Sequence, residues 1–194
     1  MPGLAHRSGS TVRCGGPADT PRSDDNARMT FRRIAAFLID WLCIIAYAVV
    51  LVPFGVALAR TGTDLSPWVL NAGAFLILIV PATIWLAGWE RGGRGAAPGK
   101  RLLKLRVIGR RPDASLGWGR SLARSALKLA LPWELGHTSA YAFASGADAA
   151  GIVCSLLAYG LLFAYLGFAF VGSGRTPYDL ITDSRVVDTR NAPL

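Results

Sequence analysis

The sequence predicts an all-α membrane protein: a multi-pass helical bundle of three clear spans, a fourth polar membrane-inserted helix or hairpin, and a small cytoplasmic β-ribbon. Three observations predict it. Apolar residues make up 52% of the chain and charged residues 17%, against about 25% charged in an ordinary soluble domain. Charge is missing altogether from Trp41 to Ala59, from Leu65 to Trp89 and from Ala149 to Gly174. About 20 apolar helical residues cover the roughly 30 Å hydrocarbon core of a bilayer. Finally, the basic residues are distributed by topology. Six Arg lie in the leader up to Arg33, eleven Lys or Arg between Glu90 and Lys128, and three in the tail after Gly174, but only Arg60 between the first two spans. The positive-inside rule places the leader and the long basic loop in the cytoplasm, and the loop 60–68 outside.

Residues 1–30 are rich in Gly, Pro, Ser, Asp and Arg and too polar to bury a core, so a disordered cytoplasmic leader is expected there. The segment lacks the apolar stretch of a signal peptide. The membrane domain is expected over 31–188, with a short tail at 189–194. The first span runs from about Arg33 to Leu58, with Pro53 expected to kink its outer end. The second runs from about Pro67 to Trp89, with a kink expected at Pro81 and tryptophans near its ends. In Leu103-Lys104-Leu105-Arg106-Val107 the apolar residues alternate with basic ones, a period of two that reads as a short strand. Gly109 to Asp113 reads as a turn. Ser184 to Val187 is a second β-like piece, and the two pieces either pair as a ribbon or lie on the membrane surface. Trp118 to Leu131 is amphipathic: Arg120, Arg124 and Lys128 recur every four residues. Such a helix lies in the interface or dips inward with its charges turned to the bundle. The last span is Ala149 to Val171, where Gly160 and Gly167 would permit close helix contact.

Several chemistries are excluded or weakened. The net charge of +9 follows topology, so nucleic-acid binding is not expected; the basic loop suits anionic lipid head groups. Cys14, Cys43 and Cys154 form no disulfide or metal pattern. The run Gly92 to Lys100 resembles a phosphate loop but has Arg94 where a Gly is required and Arg101 where a Ser or Thr is required. Glu134 and His137 have the i, i+3 spacing of a metal-binding helix, yet no second pair exists. They read as a titrating pair near the membrane or as plain interfacial groups. No metal, no cofactor and no catalytic constellation is expected, and the chain does not read as an enzyme.

The signal concentrates on charges that bracket the apolar domain. Asp40 lies within an apolar run, where a carboxylate costs about 2.5–3.5 kcal/mol on insertion scales. It is therefore paired, wet or functional. Arg33 sits two helical turns earlier on nearly the same face, about 10 Å away along the axis. Asp179 follows the last span.

These residues carry a family resemblance. Arg-Arg-Ile-Ala-Ala-Phe-Leu-Ile-Asp at 32–40, Pro-Gly-Lys-Arg-Leu-Leu at 98–103, Gly-Arg-Ser-Leu-Ala-Arg at 119–124 and Arg-Thr-Pro-Tyr-Asp-Leu at 175–180 occur in order. Together they resemble the RDD family of bacterial membrane proteins, named for one Arg and two Asp. The resemblance implies that Arg33 is the family Arg, with Arg32 the other candidate, and that Asp40 and Asp179 are the two Asp. Two departures stand out. Ala97 occupies the place of a frequent polar residue before Pro-Gly-Lys, and Asp183-Ser184 stands where Gly-Thr is usual. Transport of a small solute or ion has been suggested for the family, which is an expectation by analogy only.

The expected function is therefore a component for transport of a small ion or solute, with Asp40 titrating or binding the cation. The alternative is a membrane adaptor in which Arg33, Asp40 and Asp179 form a structural clamp. Secondary candidates are Arg32, Lys100, Arg120, Arg124, Glu134 and His137. Expected partners are the bilayer, anionic head groups, and further copies of the chain or a membrane partner. The three charges meet only if the tail returns to the cytoplasm. That requires an even number of crossings, with 119–147 supplying the fourth.

Overall fold

A computed structural model describes residues 23–62, 65–93, 95–109, 115–170 and 175–190. The expectations for Cys14, Asp64, Arg94, most of the turn at 109–113 and the leader up to 22 lie outside these residues. Four long helices form the body. α1 is Ser23–Arg60 and α2 is Pro67–Glu90, with a π-turn at Phe75–Ile79. After the short α3, Pro98–Leu102, and β1, Leu105–Ile108, comes α4 over 118–144. It comprises Trp118–Ser125, a π-turn at Ala126–Ala130, and Leu131–Ala144. α5 is Asp148–Phe170, α6 is Pro177–Ile181 and β2 is Arg185–Asp188.

α1 begins at Ser23, ten residues before the expected start, so residues 23–30 are helical rather than disordered. Composition gave no sign of this, because what holds this turn is tertiary. Thr30 is buried and its Oγ1 donates to Ala169 O at the end of α5 (2.8 Å), while Phe31 meets Phe170 edge-on. α1 also continues as one helix through Pro53.

The helices alternate in direction. Ile44 of α1 packs with Ala82 and Leu86 of α2, Ser121 of α4 donates to Ala87 O of α2, and Ser139 of α4 donates to Gly151 O of α5. One end of the bundle carries the loops after α1 and α4. The other end gathers the start of α1, the end of α2, α3, the start of α4, the end of α5, α6 and the ribbon. α1, α2 and α5 are long and apolar enough to cross a membrane. Leu38, Leu42, Val49, Leu156 and Phe163 face outward, as lipid-facing side chains do.

The two π-turns share a cause. Pro81 and Pro132 each remove an N–H from the helical ladder just past a π-turn. In each case a tyrosine supplies a donor to the turn: Tyr47 Oη to Ile77 O (2.7 Å) and Tyr165 Oη to Leu127 O (2.6 Å). The close approach of α4 and α5 occurs at Gly151, where a Cβ would fall 2.8 Å from the Phe143 ring. Gly160 and Gly167 meet nothing within 4 Å, so the expectation of close contact there is corrected. Those two face away from α4, while Gly151 lies beside the tight turn closed by Gly146 (φ 75°).

β1 and β2 pair antiparallel, with Leu105 opposite Asp188 and Val107 opposite Val186. Leu105 and Val107 turn into the core and Arg106 is half-buried, the period-two pattern seen in the sequence.

Candidate functional site

The short motifs of the sequence meet at one end of the bundle in a buried ion network. Its frame is the crossing of α3 over α1. Pro98 occupies the first turn of α3, where its missing N–H costs nothing. Gly99 then lies against α1 so closely that a Cβ would sit 2.1 Å from Ala36 O. That contact permits the Gly99 N–H to reach Asp40 Oδ1 at 2.8 Å. Asp40 is 1% exposed and thus caps the start of a helix other than its own. Lys100, next in the motif, reaches back to Glu90 at the end of α2. Ala97, the departure from the family pattern, is a core residue here, packed with Ile44, Leu86 and Leu129.

α4 supplies the cations. Two of the three basic residues of its stripe face the bundle: Arg124 is 1% exposed and Lys128 is buried, as are Ser121 and Ser125. Arg124 donates from Nη1 to Glu90, and from Nε (3.0 Å) and Nη2 (2.6 Å) to Asp179 Oδ1. Its guanidinium lies 5.1 Å over the Tyr178 ring, which Tyr165 meets edge-on. Lys128 Nζ lies 3.7 Å from Asp40 Oδ2 and 3.8 Å from Glu90 Oε1. Both Nζ and Oδ2 are buried, and neither has a hydrogen-bond partner among the described residues.

Asp179 closes the network from the tail. Arg33 Nη2 donates to its Oδ2 at 2.6 Å, and Thr176 Oγ1 does so at 2.8 Å. The Thr176 pair is the capping box of α6. Ser184, the other departure, is buried and donates to Asp179 Oδ1 at 3.4 Å, so a hydroxyl keeps a role at this place. Burial alone would push the Asp179 carboxyl up. Arg124 and then Arg33 outweigh it and hold it at about 2.

The three bracketing charges are therefore brought together. Arg33 pairs with Asp179 rather than with Asp40, the helix-mate the spacing offered. The secondary candidates divide. Lys100 and Arg124 belong to the network. Arg32 points elsewhere, to Asp188 and the Leu103 carbonyl, and pins the ribbon to α1. Arg190 and Arg32 together hold the Asp188 carboxyl well below the usual carboxylate range. Arg120 is exposed and takes no part. Glu134 and His137 interact electrostatically but form no ion pair among the described residues. Glu134 turns to Asn71 and Thr138, and the His137 ring stacks on Trp133 at 4.0 Å. Among the described residues no three His, Cys, Asp or Glu gather as a metal set.

Sequence reasoning missed Glu90 as a centre of the network. The available signal was a carboxylate ending an apolar run directly after Trp89, read instead as the start of a loop. Lys128 belongs to the amphipathic stripe, whose charges the sequence expects either to lie in the interface or to turn to the bundle.

An RDD family model matches residues 28–181. That range holds every residue of the network except Ser184, and the chain belongs to the RDD family. No curated protein and no solved structure matches it.

Proposed function

We propose that the protein is a multi-pass scaffold of the cytoplasmic membrane, in which Arg33, Asp40 and Asp179 clamp the cytoplasmic elements onto the helices. The observation that carries this reading is that each of the three charges already has a protein partner in place: Gly99 N–H for Asp40, and Arg33 and Arg124 for Asp179. Buried charges need such partners, because the desolvation of an unpaired ion costs several kcal/mol. The titratable groups of the site are engaged with one another, which supports a non-enzymatic role. α4 supplies the fourth crossing in this reading, since it runs antiparallel to α5 from end to end. Both ends of the domain then lie in the cytoplasm. The clamp presents α3, the ribbon and their basic side chains to anionic lipid head groups, to further copies of the chain or to a membrane partner. Nucleic acid has no part in it.

Movement of a small ion or solute is the second reading. It is favoured by the Asp40–Lys128 pair, buried 3.7 Å apart, in which an oxygen and a nitrogen have no hydrogen bond among the described residues. Asp40→Asn separates the two. Purified wild type and variant are compared in sealed vesicles for cation flux and in detergent for thermal stability. The scaffold reading expects a clear loss of stability and no flux in either protein. Flux in the wild type that vanishes in a variant of normal stability would overturn it in favour of transport.

A further inference from the structure

α1 and α5 touch at the end of the bundle that carries the ion network, through Thr30 and Ala169 and through Phe31 and Phe170. Beyond that contact they part. A groove of about 390 Å³ lies between them, with Leu129 and Pro132 of α4 in its floor. That is the size of a ligand pocket, not of a packing defect. Along α1 it runs from Thr30 to Trp41. This is about 16 Å of helix, close to the depth of one leaflet.

The wall is graded. Beside the network stand Arg33, Thr176 and Tyr178, and deeper in the bundle it is built of Leu38, Trp41 and Leu162. Lys128 lies between the two ends. Among the described residues that line the groove, two are basic and none is acidic. Arg33 holds Asp179 and still keeps 14% of its side chain exposed. Lys128 Nζ lies 5.2 Å over the ring of Phe37, itself part of the wall. An ammonium has three donors, yet this buried Nζ has no hydrogen-bond partner among the described residues. A buried donor left in that state costs free energy that an added acceptor would recover. Among the described residues, four cations, Arg33, Lys100, Arg124 and Lys128, share the three acids Asp40, Glu90 and Asp179.

We propose that this groove holds one anionic phospholipid of the cytoplasmic leaflet. Its phosphate lies at Arg33, its ester oxygens turn toward Lys128, and one acyl chain follows Leu38, Trp41 and Leu162. The wall repeats the order of the lipid: charge, then polar ester, then hydrocarbon. A zwitterionic lipid brings a cation with its phosphate and gains less from two basic residues. The site is separate from the head-group surface of α3 and the ribbon. The choice of leaflet rests on the topology of the proposed function, whereas the lipid contacts do not.

The test is native mass spectrometry of the full-length protein, released from detergent with phosphatidylglycerol or phosphatidylcholine of matched chains. The wild type should retain one phosphatidylglycerol with a preference of about tenfold, as expected for two basic contacts. Leu166 lines the groove and is 40% exposed. Leu166→Trp fills the groove without touching the ion network and should abolish the preference. Leu162→Trp repeats the test from the inner end, and circular dichroism checks the helices of both variants. Leu156→Trp, exposed on the same helix outside the groove, should keep the preference. Glycerol 3-phosphate, a head without chains, should not displace the lipid. Equal retention of the two lipids by the wild type would overturn the proposal. So would a preference that survives both groove variants, because the lipid would then sit on the outer basic surface. Displacement by glycerol 3-phosphate would overturn it as well, by removing the acyl chain from the binding. None of these outcomes depends on which side of the membrane the tail lies.

Discussion

Asp179 receives the densest set of donors in the network: Arg33, Arg124, Thr176 and Ser184 all converge on one carboxylate that is 0% exposed. Removing it would leave Arg33 without this acid and Arg124 with Glu90 alone. Breaking a buried ion set by deleting one partner costs about 3–5 kcal/mol. Asp179→Ala should therefore lose about that much stability in a detergent unfolding curve, and a loss near zero would contradict the clamp. The pH dependence has a defined sign. The folded carboxyl is held at about 2, below its ordinary value, so its contribution is present above the ordinary value and is lost as pH falls through the folded one. That contribution is about 2 kcal/mol at neutral pH. Wild-type stability should fall more steeply than that of Asp179→Ala from about pH 4 to about pH 2. Asp40 and Asp179 were legible in the sequence because a carboxylate in or beside an apolar run is costly enough to demand a reason. Glu90 was not, since its position at a run's end has a bland explanation. Only the fold brings Lys100, Arg124 and Lys128 to it.

At the scale of elements, the Pro-Gly-Lys motif is a joint. Pro98 starts α3, Gly99 touches α1 and donates to Asp40, and Lys100 reaches α2. Gly99→Ala places a methyl 2.1 Å from the Ala36 carbonyl oxygen, a backbone atom that cannot step aside. Overpacking of this kind costs about 3 kcal/mol. The variant should melt well below wild type, whereas Gly160→Ala, with open space around it, should not. Equal melting of Gly99→Ala and wild type would remove the joint from the account. The strands and the amphipathic stripe of α4 were visible as periods of two and four. The side to which the stripe turns was not, because periodicity gives a face and not its neighbour. Three buried acids at one end of the bundle decide it. The helical start of α1 at Ser23 was hidden for a similar reason: its anchor, Ala169, lies at the far end of the chain.

At the scale of the molecule, the four crossings of the proposed reading let Arg33, Asp40 and Asp179 meet and β1 pair with β2 on one side of the membrane. Composition favours three spans, because α4 carries Arg124, Lys128 and Glu134. In the fold Arg124 pairs with Asp179 and Glu90, Lys128 lies beside Asp40 and Glu90, and one oxygen of Glu134 accepts from Asn71 and Thr138. The most direct measurement is cysteine accessibility in intact cells, with Cys14, Cys43 and Cys154 replaced and single cysteines placed at Thr61 and Arg190. The account predicts that Thr61→Cys is labelled from outside and that Arg190→Cys is labelled only after the membrane is opened. Labelling of both positions from the same side would contradict it, because the tail would then lie across the bilayer from Arg33.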